Sequence, residues 1–122
     1  MVRLHTTEDV DKFIQRSHEK PVFIFKYSPY CSISYLKWET FLFFAREHPD
    51  ILYAKIDVIE QRPLSNYVAE ITGVRHQSPQ VLAFARGSVV WHASHWNIEE
   101  ENLVAALKMA QQKLQVEDSS NG

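Results

Sequence analysis

A single cysteine, Cys31, lies in the run Ser28-Pro29-Tyr30-Cys31-Ser32-Ile33-Ser34, and the 122 residues contain no other. A thiolate is a strong nucleophile and a thiol is a poor one, so the value of Cys31 depends on what stabilises its anion. With no second cysteine in the chain, any disulfide made by Cys31 joins it to another molecule. Lys26 is a cationic candidate for modulating the thiol pKa. Ser32 and Ser34 carry no charge that would oppose a thiolate, and Ser34 could offer a hydroxyl or cap a helix.

The flanking pattern places Cys31 between a strand and a helix. Val22 to Tyr27 is a continuous apolar run rich in β-branched and aromatic residues, broken only by Lys26, and reads as a strand covered on both faces. Pro29 ends it. From Ser32 the pattern turns helical, with Ile33, Leu36, Trp38, Phe41, Phe44 and Ala45 forming a broad apolar surface that His48-Pro49 stops. A cysteine at the start of a helix meets free N–H groups and the positive end of the helix dipole, which lowers a thiol pKa. The competing reading is a small, inert, buried hydrophobe, as free cysteine often is.

The rest of the chain supplies further elements. Thr6 to Asp9 opens a helix with Val10, Phe13 and Ile14 on its buried side, and Ile51 to Asp57 is a second strand. Pro63 suits the first turn of a helix with Leu64, Tyr67, Val68 and Ile71 as its buried face, and Gly73 is its left-handed cap. Gln80 to Ala85 is a third strand, turning at Arg86-Gly87-Ser88 into Val89-Val90-Trp91. Asn97 with Glu100 resembles a capping box, and Leu103, Val104, Leu107 and Ala110 carry the last helix. The order α-β-α-β-α-β-β-α predicts an α/β fold, a central mixed sheet of about four to five strands with helices on both faces. One domain is expected over residues 1–116, with a flexible tail over 117–122.

Composition excludes several classes. Thirteen basic and fifteen acidic residues nearly cancel, so neither a nucleic-acid partner nor an acidic tail is indicated. No run approaches a membrane span, and Met1 to Asp9 has no apolar core of a signal peptide. One free cysteine and no leader fit the cytoplasm. His76, His92 and His95 fall on different elements without a cysteine partner, so no metal site is expected. Trp38, Phe41, Phe43 and Phe44 read as core.

From about Leu4 to Leu114 the layout resembles the thioredoxin-like superfamily. One landmark is strand, loop, Cys31-Ser32-Ile33-Ser34, helix. The other is Gly73 to Phe84 followed by Arg86-Gly87. By that resemblance Pro79 should be cis and face Cys31, with Ser78 presenting its backbone to a substrate. An ordinary trans proline opening an edge strand is the alternative. Ser34 takes the place of a second cysteine, and Phe25 stands about where such proteins carry a buried acid. The chain is closer still to the monothiol bacilliredoxins, the thioredoxin-like proteins of the bacillithiol system, whose typical run is Cys-Pro-Ile-Ser. Here Ser32 replaces the proline. Phe25-Lys26-Tyr27-Ser28 and Ser94-His95-Trp96-Asn97-Ile98 are also similar to that group.

The resemblance implies a thiol–disulfide oxidoreductase that removes bacillithiol, or a similar small thiol, from mixed disulfides with client proteins through Cys31. No tightly bound cofactor is implied; bacillithiol would be the exchangeable thiol. Tyr30, Ser32, Ser78, Ser94, His95 and Asn97 would bind the small thiol or substrate, and a helix N-terminus at Asn97 could hold a malyl carboxylate. Two other classes remain open at this point. One is a non-catalytic adapter of the same fold. The other is an iron–sulfur carrier of the monothiol glutaredoxin kind, which would need a dimer and external thiol ligands.

Overall fold

The computed structural model describes the backbone of residues 1–121 and the side chains of residues 1–116; the tail expected over 117–122 lies outside the residues described in full. The first helix, α1 (Thr7–Gln15), starts where Thr6 Oγ1 accepts from the Asp9 amide at 3.1 Å and the Asp9 carboxylate accepts from the Thr6 amide at 3.2 Å. This reciprocal pair satisfies amides that the first turn leaves without partners. A 3₁₀ turn, Arg16–His18, follows. Then come β1 (Val22–Tyr27), α2 (Ser32–Glu47), β2 (Leu52–Asp57), α3 (Arg62–Thr72), β3 (Gln80–Ala85), β4 (Ser88–Ser94), a second 3₁₀ turn (His95–Asn97) and α4 (Glu100–Asn121).

Four strands form one mixed sheet in the order β2-β1-β3-β4. β1 runs parallel to β2 and antiparallel to β3, and β3 pairs antiparallel with β4. The period of two along β1 divides the core in half. Val22 and Ile24 pack with α1 and α3 residues such as Val10, Phe13, Leu64 and Val68. Phe23 and Phe25 pack with Phe41 and Phe44 of α2 and with Leu103, Ala106 and Leu107 of α4. Because both faces are covered, β1 needs an almost uninterrupted apolar sequence.

Two glycines set chain reversals. Gly73 takes φ 71° as the cap of α3, and Gly87 takes φ 78° in the β3–β4 turn, after Arg86 at φ 55°. The turn is tied down by Ser17, whose carbonyl accepts from the Arg86 amide at 2.8 Å and whose hydroxyl accepts from the Gly87 amide at 2.7 Å.

Three expected core residues are exposed: Leu36 and Phe43 on α2 and Ile71 on α3. α2 is apolar on nearly all sides, so its periodicity does not single out one face; only the side with Phe41 and Phe44 meets the sheet. A second correction concerns Asn97. It caps no helix but ends the 3₁₀ turn, and the amides of Asn102 and Leu103 bond back to the Glu99 carbonyl, both at 3.0 Å. The cause is Ile98, which is fully buried and draws the chain inward between the turn and α4. No helix among the described residues is long and apolar enough to cross a membrane.

Candidate active site

The C-terminal end of β1 carries Cys31. Here the strand leaves the sheet at Tyr27, and the Cys31 amide donates to the Ser28 carbonyl at 3.3 Å, closing a tight turn over Pro29 and Tyr30. Cys31 has extended dihedrals, φ −119° and ψ 117°, and is the cap residue of α2; its carbonyl accepts from the Tyr35 amide at 3.4 Å. At this position most helices place Ser, Thr, Asp or Asn to receive the free amides of the first turn. The Cys31 side chain makes no such bond, is half-buried, and is not in a disulfide. Its sulfur therefore stands where negative charge is favoured by the helix end and where a partner can reach it.

Ser34, one turn into the helix, is fully buried, and its hydroxyl accepts from the Ser28 amide at 3.2 Å. It braces the loop that carries Cys31. Tyr30 and Ser32 flank the cysteine and are exposed, Tyr30 to 84%. Phe25 lies in the apolar layer under α2, its ring 5.3 Å from Trp38 and 5.2 Å from Phe41. Where an acid would have stood, this chain has an aromatic cluster. Lys55 extends that cluster, its ammonium 4.3 Å from the Tyr27 ring centre and 4.7 Å from that of Trp38.

The Ser78–Pro79 peptide bond is cis, as the resemblance implied. Gln80, the next residue, pairs with Lys26 in the antiparallel register, so Pro79 and the Cys31 loop occupy the same end of the sheet. Pro79 is also bonded to the second 3₁₀ turn, since its carbonyl accepts from the His95 amide at 3.1 Å, and Ser94 pairs with Gln80. His95 adopts φ 54°, a left-handed conformation that non-glycine residues avoid unless the surroundings impose it. Lys37 of α2 completes the link, its ammonium 5.4 Å from the centre of the exposed Trp96 ring. Cys31, Ser34, Tyr30, Ser32, Ser78, Pro79, Ser94, His95 and Asn97 are thus gathered at one end of the sheet from three separate segments.

Two expected contributors stand differently. The α4 N-terminus begins at Glu100, beyond Asn97, and its first turn holds Glu100 and Glu101. The helix N-terminus expected at Asn97 therefore stands three residues further along, and Glu100 and Glu101 suit the positive end of its dipole. Lys26 is fully buried, and its ammonium donates to the Ser65 carbonyl of α3 at 2.9 Å, on the face of the sheet opposite α2. Among the described residues no group of three or more His, Cys, Asp or Glu is placed to share a metal ion.

This architecture is that of a thioredoxin-fold thiol protein. A thioredoxin-fold protein provisionally assigned as an oxidoreductase matches with TM-score 0.79 and 32% identity, over 86% of this chain and 91% of that one. Thioredoxin from Fasciola hepatica matches at 0.71 with 20% identity, over 88% and 97%, and mitochondrial thioredoxin 3 from Saccharomyces cerevisiae at 0.70 with 16%, over 88% and 93%. These last two likenesses concern the fold. Residues 2–103 match the family model described as monothiol bacilliredoxin BrxC, and the chain belongs to that family.

Proposed function

We propose that the protein removes bacillithiol, or a closely similar low-molecular-weight thiol, from mixed disulfides with client proteins, using Cys31 alone. The observation that carries this reading is the placement of the chain's one cysteine at the cap of α2, half-exposed, with Ser34 at the position of a second thiol. Family membership and the cis Ser78–Pro79 bond at the same end of the sheet support it.

The reaction balances with a second molecule of the small thiol as the reductant. Cys31 thiolate attacks the small-thiol sulfur of the mixed disulfide. The old S–S bond breaks as the new one forms, and the client cysteine leaves as a thiolate and takes a proton from solvent. A second small thiol then attacks Cys31–S–S–R at the R sulfur. It leaves as a symmetrical disulfide and returns Cys31 to its thiolate. Rates follow thiolate fraction and access to the attacked sulfur. Tyr30, Ser32, Ser78, Ser94, His95 and Asn97 flank the place where the small thiol would lie, and Lys37 brings a cation to that turn.

Mass spectrometry of the protein after incubation with the oxidised forms of several small thiols tests the reading. We expect one adduct per chain, on Cys31, most abundant with bacillithiol. Replacing Cys31 with Ala abolishes transfer from a bacillithiolated client; transfer that persisted in that variant would end the proposal. A Cys31 that forms no adduct and alkylates at the rate of an ordinary thiol would instead favour a binding adapter.

A further inference from the structure

Lys26 interrupts an otherwise apolar strand and is fully buried, a placement that in general costs several kcal/mol of desolvation unless pairing and hydrogen bonds offset it. Its ammonium donates to the Ser65 carbonyl at 2.9 Å. Ser65 is itself fully buried, and its hydroxyl lies 3.0 Å from His76 Nδ1. Gln80, the register partner of Lys26 on β3, is on the same face and donates from Nε2 to the Arg75 carbonyl at 3.0 Å. Gln80 Oε1 and Ser78 Oγ are buried and have no hydrogen-bond partner among the described residues. Four polar residues, Lys26, Ser65, His76 and Gln80, thus gather at the end of a sheet face that is otherwise apolar.

They converge on one target. Residues 73–79 have no regular secondary structure and end on the cis Ser78–Pro79 bond. The segment is anchored at its start by Gly73 and Val74 and at its end by the Pro79 carbonyl. Between these anchors its hold on the body of the protein comes from the side chains of Ser65 and Gln80. Partial burial, then the charges of Lys26 and Arg62, keep the His76 imidazole below its ordinary pKa, so it is neutral at pH 7 and fits the Ser65 hydroxyl as donor or acceptor.

We propose that Lys26 is a positioning residue for the exchange reaction: through Ser65 and His76, and beside Gln80, it fixes the segment that presents Ser78–Pro79 at the Cys31 end of the sheet. It acts on where a substrate chain lies, not on the thiol. The inference rests on the reading that exchange runs at Cys31.

The test uses Lys26→Met, which keeps the length of the side chain and removes the ammonium, and two probes that contain no bacillithiol. One is a peptide whose single cysteine is disulfide-bonded to thionitrobenzoate; the other is the small reagent dithiobis(nitrobenzoate). The variant should raise KM for the peptide disulfide roughly tenfold, the scale of a modest misplacement of a bound group. Its kcat, and its rate with the small reagent, should stay within about twofold of wild type, because contacts of the segment to the peptide chain are made equally before and during the exchange step. Amides of residues 74–79 should exchange hydrogen about tenfold faster while β1 and β3 amides do not change, and the unfolding midpoint at pH 7 should be no lower. Equal losses with both disulfides would show that Lys26 acts on the thiol, and unchanged loop exchange would overturn the proposal. Should Lys26→Met not fold, Ser65→Ala, which keeps the carbonyl contact and cuts only the His76 link, carries the same two predictions. A protein showing no preference for bacillithiol would defeat the functional proposal and leave these values as they are.

Discussion

Cys31 occupies a position that would be better filled, for stability, by serine. An N-cap oxygen receives the amides of the first turn and contributes about 1 kcal/mol, whereas the Cys31 side chain makes no cap bond. Cys31→Ser should therefore unfold at a higher midpoint than the reduced wild type while losing all exchange; a lower midpoint would show that the sulfur already caps the helix. Ser34→Cys places a second thiol at the third helical position. On oxidation it should lose the mass of two hydrogens by forming an internal disulfide, and release of a bound small thiol should speed up or divert through it. Lys26 yields a prediction in pH. Burial lowers its pKa from 10.5 to about 8. Between those values the unfolded chain holds a proton that the native protein does not, so stability rises with pH across that window, by on the order of 3 kcal/mol. Below about 8 both states are protonated and the contribution is flat. Urea unfolding of wild type minus Lys26→Met at pH 7.5 and 10 isolates this gain from other titrations; a difference that falls over that range contradicts it.

At the scale of elements, punctuation residues carried most of what could be read from the sequence. Pro63 starts α3, Gly73 ends it, and Arg86-Gly87 turns β3 into β4, each because its backbone preference admits few alternatives. The β3–β4 turn gives a further prediction. A Cβ on Gly87 would stand 2.9 Å from His18 Nε2, at a φ that side chains avoid. Gly87→Ala should cost about 1–3 kcal/mol in chemical denaturation without changing the alkylation rate of Cys31, which lies at the other end of the sheet. The start of α4 was not legible. Asn97 and Glu100 have the spacing of a capping box, and only the burial of Ile98 decides that the helix begins later. The exposure of Leu36 and Phe43 was hidden for a related reason: a helix apolar on nearly every side does not announce which side meets the sheet.

For the molecule as a whole, the fold followed from alternation of element types, because two parallel strands joined by a helix and an antiparallel hairpin have few ways to share one sheet. The same arrangement delivers the site. The antiparallel register of β1 and β3 sets the end of one beside the start of the other, and so brings residues near 31, 79 and 95 together. Cys31 could be picked out because it is the one cysteine of the chain, set between a strand and a helix, whereas Ser34 and Pro79 stood out through the resemblance to the thioredoxin-like superfamily. The Lys26–Ser65–His76 connection could not. Its only trace is one charge in a buried strand, and its partner lies 39 residues away on a different layer.

The central claim, one-thiol exchange through Cys31, is tested most directly by intact-mass spectrometry of the reduced protein mixed with a bacillithiolated client. The account predicts that the client loses bacillithiol while one bacillithiol appears on Cys31, in equal amounts before any free thiol is added. Removal of bacillithiol from the client with no adduct on Cys31, or a disulfide left between Cys31 and the client, would contradict it.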